Sequence, residues 1–99
     1  FCGTHEYLPD IDAIFEGTCT EYPKKQPVLY ALISSLVTAV HERDITDHEL
    51  ENVCDYATRF PPDFAMTFYK DLSNIERIST RLMKVRSLQR WLSRNGRSL

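Results

Sequence analysis

The sequence predicts an all-α fold, namely a three- or four-helix bundle that follows a short irregular or β-like N-terminal segment. Apolar residues recur at the three- and four-residue spacing of amphipathic helices over most of the chain after residue 27. Prolines and a capping motif separate these periodic runs, as expected at helix ends. The chain has 99 residues, of which 42% are hydrophobic and 26% are charged, a composition typical of a single globular domain.

Residues 1–26 are predicted to form the N-terminal segment and linker of this domain. Apolar side chains within residues 11–15 predict one helical turn, and Gly17 is expected to end it. Residues 18–22, with the sequence Thr-Cys-Thr-Glu-Tyr, favour a β conformation. A lone strand cannot satisfy its own backbone hydrogen bonds, so this run needs a neighbour that the rest of the chain barely supplies.

Residues 27–75 predict three consecutive helices. Pro27 suits the first turn of the first helix, which carries a broad apolar face. The run "TDHE" predicts a capping box, in which the Thr46 hydroxyl accepts from the Glu49 amide and the Glu49 carboxylate reaches back. Pro62 is expected to begin the third helix, and the proline before it ends the second, since the residue that precedes a proline avoids the helical conformation.

Residues 76–99 are predicted to form a basic C-terminal helix. Residues 77–99 contain seven basic and no acidic residues, whereas residues 1–63 carry a formal charge of −8. An apolar stripe along the predicted helix consists of Ile78, Leu82, Val85 and Leu88. The candidate charge contacts are Arg77, Arg81, Lys84, Arg86, Arg90 and Arg94, with Trp91 as an aromatic anchor.

Two non-catalytic functions are consistent with this pattern. In the first, the basic helix contacts nucleic acid or an acidic partner, because a concentrated positive field attracts phosphates and carboxylates. In the second, the domain is a protein–protein adaptor that docks through the apolar stripe. Two simpler interpretations stand beside them: the stripe packs on the bundle while the bases stay in water, or the bases neutralise the acidic first part of the chain.

The sequence contains no catalytic constellation, and we predict neither a metal ion nor a cofactor. Cys2 and His5 have a spacing found in metal sites, but no second closely spaced pair accompanies them. Ser34 and Ser35 lie within a predicted helix rather than on a strained nucleophile turn. The sequence also lacks a glycine-rich phosphate-binding loop.

Cysteine usage predicts a cytoplasmic location. The cysteines lie at positions 2, 19 and 54, and an odd number of widely spaced cysteines favours reduced thiols over a disulfide framework. The N-terminus shows no signal-peptide pattern, and no apolar run reaches the roughly 18 residues of a membrane span. The chain does not begin with Met, which leaves open that it is a fragment of a longer protein.

The order of elements over residues 1–75 resembles the C-terminal part of a clamp-loader-like AAA+ ATPase, which comprises a sensor segment and a helical lid. The corresponding segments are a strand end at 1–4, a short helix and Cys segment in "DIDAIFEGTC", a strand and linker in "TEYPKKQP", and lid helices at 28–41, 46–60 and 62–72. Cys19 matches the cysteine of that segment, and "FPPDFAMTFYKDL" occupies the place of the second sensor helix.

The chain differs from this family at the positions of two catalytic arginines. Thr18 stands where the trans-acting arginine is expected, and Phe64 or Ala65 stands where the second sensor arginine is expected. The resemblance therefore implies a non-catalytic lid of an oligomeric DNA-transaction ATPase, whose nucleotide-binding half is not among these residues.

Overall fold

The computed structural model describes residues 8–99, so the predicted strand end at residues 1–4 and the Cys2–His5 pair lie outside the described residues. Within the described part the chain forms six helices and no strand, and the all-α prediction is confirmed. The helices are α1 (Ile11–Glu16), α2 (Gln26–Glu42), α3 (Asp47–Ala57), α4 (Pro62–Ser73), α5 (Glu76–Leu82) and α6 (Arg86–Asn95). They outnumber the predicted three or four because the C-terminal segment divides and the N-terminal turn is itself a helix.

The segment between α1 and α2 is irregular and lies on α3. Gly17 ends α1 in the left-handed conformation, with φ of 82°, as the sequence predicts. Residues 18–22 are not a strand, and the Tyr56 hydroxyl of α3 donates to the Glu21 carbonyl within this run. The β interpretation of these residues was wrong, because a helix side chain rather than a second strand satisfies this part of the backbone.

Helices α2, α3 and α4 are the three helices predicted for the middle of the chain. Pro27 is the second residue of α2, and Pro62 is the first residue of α4. The capping box at the start of α3 is confirmed: the Glu49 amide donates to the Thr46 hydroxyl at 3.0 Å, and the Thr46 amide donates to the Glu49 carboxylate at 2.8 Å. Local sequence signals therefore fix where these helices begin.

The C-terminal segment folds as two helices, which corrects the single basic helix predicted for residues 76–99. α5 ends at Leu82, and α6 begins at Arg86 after a short turn. α5 packs against α4, whereas α6 packs against α3. Because the chain bends between them, the two short helices bury apolar side chains on different parts of the bundle.

One hydrophobic core joins all six helices, and aromatic rings lie near its centre. Phe68 and Tyr69 of α4 are fully buried, and Trp91 of α6 meets Tyr69 edge-on with ring centroids 5.2 Å apart. The Tyr69 hydroxyl donates to the Cys54 carbonyl at 3.0 Å, so this buried polar group is satisfied. The inner face of α6 is thereby fixed to the body, and its opposite face is left toward solvent.

Candidate functional site

Arg77 of α5 closes the C-terminal end of α2. Its guanidinium donates to the carbonyl oxygens of His41 at 3.0 Å and Arg43 at 3.1 Å, and it also donates to the Val40 carbonyl. The last carbonyls of a helix have no partner within the helix, and a cation placed there also complements the negative end of the helix dipole. Arg77, predicted as a partner contact, is therefore a structural residue.

Arg81 of α5 is also bound within the molecule. Its Nε atom donates to the Asp47 carboxylate at 2.9 Å, and its Nη2 atom donates to the Ile45 carbonyl at 2.7 Å. These two bonds hold the loop that leads into α3 against α5. The Arg81–Asp47 ion pair joins a C-terminal base to an acid of the first part of the chain, and Arg97 forms a second such pair with Asp63 at 3.7 Å. Both pairs agree in part with the interpretation that the C-terminal bases neutralise the acidic first part of the chain.

The predicted aromatic anchor and apolar stripe lie inside the protein. Trp91 is only 2% exposed and packs against Tyr69, so it is not available to stack on a base or to anchor a partner. The four residues of the stripe, Ile78, Leu82, Val85 and Leu88, are all buried in the core. The adaptor hypothesis requires this stripe on the surface, but the stripe is buried in the core of the chain itself.

Four of the predicted contacts remain on the surface: Lys84, Arg86, Arg90 and Arg94. Within residues 8–99, none of their side chains forms an ion pair or a hydrogen bond. Arg86, Arg90 and Arg94 are spaced four residues apart on α6, which aligns them along one side of the helix, and we call these three residues the basic stripe. Lys84 lies in the turn just before α6.

A surface groove of about 360 Å³ runs between α6 and the end of α3. Arg90 and Arg94 line it from one side, and Arg59, which follows α3, lines it from the other. The groove also contains Asp55, which pairs with Arg59 at 3.6 Å, but both side chains are more than half exposed, so this pair is weak. The hydroxyl protons of Thr58 and Ser87 are already donated to the Asp55 carbonyl and to Glu51, so these two hydroxyls add only acceptors. The groove therefore presents three guanidinium groups and one carboxylate.

Sequence reasoning missed Arg59 as part of this surface. Arg59 lies in the acidic first part of the chain, and only the packing of α6 on α3 brings it beside Arg90 and Arg94. Nothing in the local sequence around Arg59 indicates that approach.

Glu51 of α3, also missed from the sequence, caps the N-terminus of α6. Its carboxylate accepts from the Arg86 amide at 3.1 Å and from the Ser87 amide at 3.0 Å, and the Ser87 hydroxyl donates to it as well. Partial burial alone raises the pKa of Glu51, but the hydrogen bonds from Ser87 and Arg86 and the Arg86 charge outweigh burial and hold this pKa below its ordinary value. Glu51 therefore fixes the end of α6 from which the basic stripe starts.

The described cysteines and acidic residues do not assemble a reactive or metal-binding centre. Cys54 is fully buried in α3, and burial raises the pKa of its thiol, which keeps it protonated and inert. Among residues 8–99, no three His, Cys, Asp or Glu side chains cluster closely enough to hold a metal ion. In the same part of the chain, no helix has the length and apolar character that crossing a membrane requires.

Comparison with known proteins identified no relative. No family model, curated protein or solved structure matches this chain.

Proposed function

We propose that this chain is a non-catalytic helical interaction module that binds nucleic acid through the basic stripe and Arg59. The observation that carries the proposal is the alignment of three exposed arginines along α6, whose side chains form no hydrogen bond or ion pair with the described residues. Guanidinium groups bind phosphate oxygens through two parallel hydrogen bonds, which makes arginine better suited than lysine to this ligand.

The placement of these charges is unfavourable for α6 itself, which supports a role in binding. Arginines four residues apart repel one another along a helix. Arg86 is the first residue of α6, but the Glu51 carboxylate of α3 already offsets its charge at the positive end of the helix dipole. The remaining cost is the mutual repulsion, which an added polyanion relieves and which solvent relieves only by screening.

The shape of the groove favours a linear polyanion. Arg90 and Arg94 approach from α6 while Arg59 approaches from the end of α3, so an extended chain of phosphates is able to meet both sides at once. An acidic protein segment has the same sign of charge but bears its carboxylates on flexible side chains. We therefore take nucleic acid as the partner and treat an acidic peptide as the competing outcome of the test.

The proposal extends to the AAA+ lid resemblance, in which this module belongs to a DNA-transaction ATPase. Support comes from the order of elements, since a short helix, an irregular Cys-containing segment and three helices follow one another in α1 to α4. At the positions of the two family arginines, Thr18 is exposed, and of the two candidates for the second position Phe64 is half-buried and Ala65 is buried. In this proposal the module contributes binding rather than catalysis, and its location is cytoplasmic.

Fluorescence anisotropy with labelled oligonucleotides at low salt tests the proposal. Arg90→Glu should weaken binding at least tenfold, because it replaces a phosphate contact by a repulsion. Lys70→Glu is the matched control, since it makes the same charge change at an exposed position of α4 and should leave affinity nearly unchanged.

A polyglutamate peptide serves as a competitor in the same assay. Displacement of the oligonucleotide by a much smaller amount of peptide than of unlabelled nucleic acid would assign the surface to an acidic protein. Equal binding by wild type and Arg90→Glu would remove the basic stripe from the proposal altogether.

A further inference from the structure

A small polar cavity adjoins the basic groove. It has a volume of about 160 Å³ and lies between α3 and the irregular segment that follows α1. Its lining includes Cys19, Tyr22, Asn52, Tyr56, Asp55 and Arg59. Asp55 and Arg59 also line the basic groove, so the cavity and the groove share a wall.

Two tyrosines form an aromatic platform in this cavity. The rings of Tyr22 and Tyr56 are stacked, with centroids 4.4 Å apart and an angle of 25° between their planes. The guanidinium of Arg59 lies 5.5 Å from the centroid of the Tyr22 ring. Tyr56 is buried, so the half-buried Tyr22 ring beside the Arg59 guanidinium is the surface on which a nucleobase is able to stack, and such a contact contributes substantially to single-strand binding.

The polar groups of the cavity include both hydrogen-bond donors, above all the Arg59 guanidinium, and hydrogen-bond acceptors. The Asn52 amide nitrogen donates to the Phe15 carbonyl at 2.9 Å, and no described residue donates to its Oδ1 atom. The Tyr56 hydroxyl proton is already committed to the Glu21 carbonyl. The Asp55 carboxylate has only its weak pair with Arg59. Together with the Arg59 guanidinium, these acceptors are able to pair with either an amino group or a carbonyl group on the edge of a base, so the cavity accepts any of the bases.

We propose that the partner is single-stranded nucleic acid, held with its phosphates in the basic groove and one unpaired base in the tyrosine cavity. This inference rests on the proposed function and names the form of nucleic acid that the same site accepts. A duplex keeps its bases paired and stacked inside the helix, so only an unstacked strand is able to present a base to the cavity.

The test compares single-stranded and duplex oligonucleotides by fluorescence anisotropy at constant salt. Tyr22→Leu should weaken single-strand binding about tenfold and leave duplex binding unchanged, because leucine keeps apolar volume but cannot stack on a base. Tyr30→Leu is the matched control: Tyr30 is 56% exposed on α2, away from the cavity, and its replacement should not alter either affinity.

A second measurement uses the wild-type chain alone, so it does not depend on how the variant folds. Oligocytidine and oligothymidine should both bind about tenfold more tightly than a strand of abasic sites. Suppose that all three strands and the duplex bind with equal affinity, and that Arg90→Glu still abolishes binding. Base binding in the tyrosine cavity would then be wrong, whereas the proposed function would stand. The absence of binding to every oligonucleotide would instead overturn the proposed function.

Discussion

Helices α5 and α6 are both short, amphipathic and rich in arginine, yet they use their arginines in opposite ways. Arg77 and Arg81 of α5 bind backbone carbonyls and the Asp47 carboxylate. The side chains of the α6 arginines form no hydrogen bond or ion pair within residues 8–99. The difference comes from what each helix faces, since α5 reaches the carbonyl end of α2 and the loop before α3. A count of positive residues therefore does not tell which of them are free for a partner.

The largest expected effect concerns the buried face of α6. Trp91→Ala should lower the free energy of unfolding by about 3–5 kcal/mol, because it removes a large ring that packs on Tyr69 and leaves a cavity. Urea denaturation followed by circular dichroism measures this loss. If Trp91→Ala kept its stability but bound oligonucleotides more weakly, Trp91 would act as a surface anchor. The distinction between a buried and a binding face of α6 would then be wrong.

The comparison is sharpened by matched replacements on the two helices. Arg77→Gln should cost about 2 kcal/mol, because it removes charged hydrogen bonds to the end of α2. Arg90→Gln should change stability by no more than about 0.5 kcal/mol, since it removes no internal contact. Thermal and denaturant unfolding of both variants measure the two costs. Similar costs for the two arginines would contradict the division into structural and available residues.

A smaller effect tests where α3 begins. Helix α3 supplies Asp47, which binds Arg81, and Glu51, which caps α6. Thr46→Ala should destabilise the protein by about 1 kcal/mol, because the first turn of α3 loses its side-chain acceptor. Thr80→Ala, at an exposed position inside α5, is the control and should have little effect. Denaturant midpoints compare the two. Equal midpoints for these variants would mean that the capping box does not stabilise α3.

The smallest effect concerns the cap that Glu51 supplies to α6. Glu51→Gln should cost about 0.5 kcal/mol at neutral pH, since a carboxylate at a helix N-terminus is replaced by a neutral amide. The pKa of Glu51 is lowered in the folded state, so its stabilisation is present above the unfolded pKa and is lost as the pH falls through the folded pKa.

The difference in stability between wild type and Glu51→Gln should therefore shrink on acidification below about pH 4.5. Denaturant unfolding measured at several pH values follows this change. A difference that stays constant down to strongly acidic pH would show that Glu51 does not act through its charge.

The helices of the middle of the chain were predictable because their signals are local. Prolines and the Thr46–Glu49 capping box mark helix starts by backbone geometry and short-range hydrogen bonding, whatever the rest of the fold does. The turn between α5 and α6 was not predictable in this way. Leu82 and Val85 continue the helical spacing across it, and no glycine or proline marks the break.

The site was only partly predictable, since its geometry depends on tertiary packing. The density of basic residues predicted contacts at Arg86, Arg90 and Arg94, which lie on the surface and stay predicted contacts, but it grouped Arg77 and Arg81 with them, and these two are bound within the molecule. β propensity in residues 18–22 was misleading because propensity does not supply a partner strand, and α3 side chains hold that run instead. Arg59 joins the basic groove only through the packing of α6 on α3.

The salt dependence of oligonucleotide binding tests the central claim most directly. For single-stranded nucleic acid, each phosphate contact contributes about 0.7 to the slope of the logarithm of affinity against the logarithm of salt concentration. Replacing Arg86, Arg90 and Arg94 together by Gln should reduce the magnitude of this slope by about 2 while the unfolding free energy stays nearly constant. An unchanged slope in this folded variant would contradict the assignment of the outer face of α6 to phosphate binding.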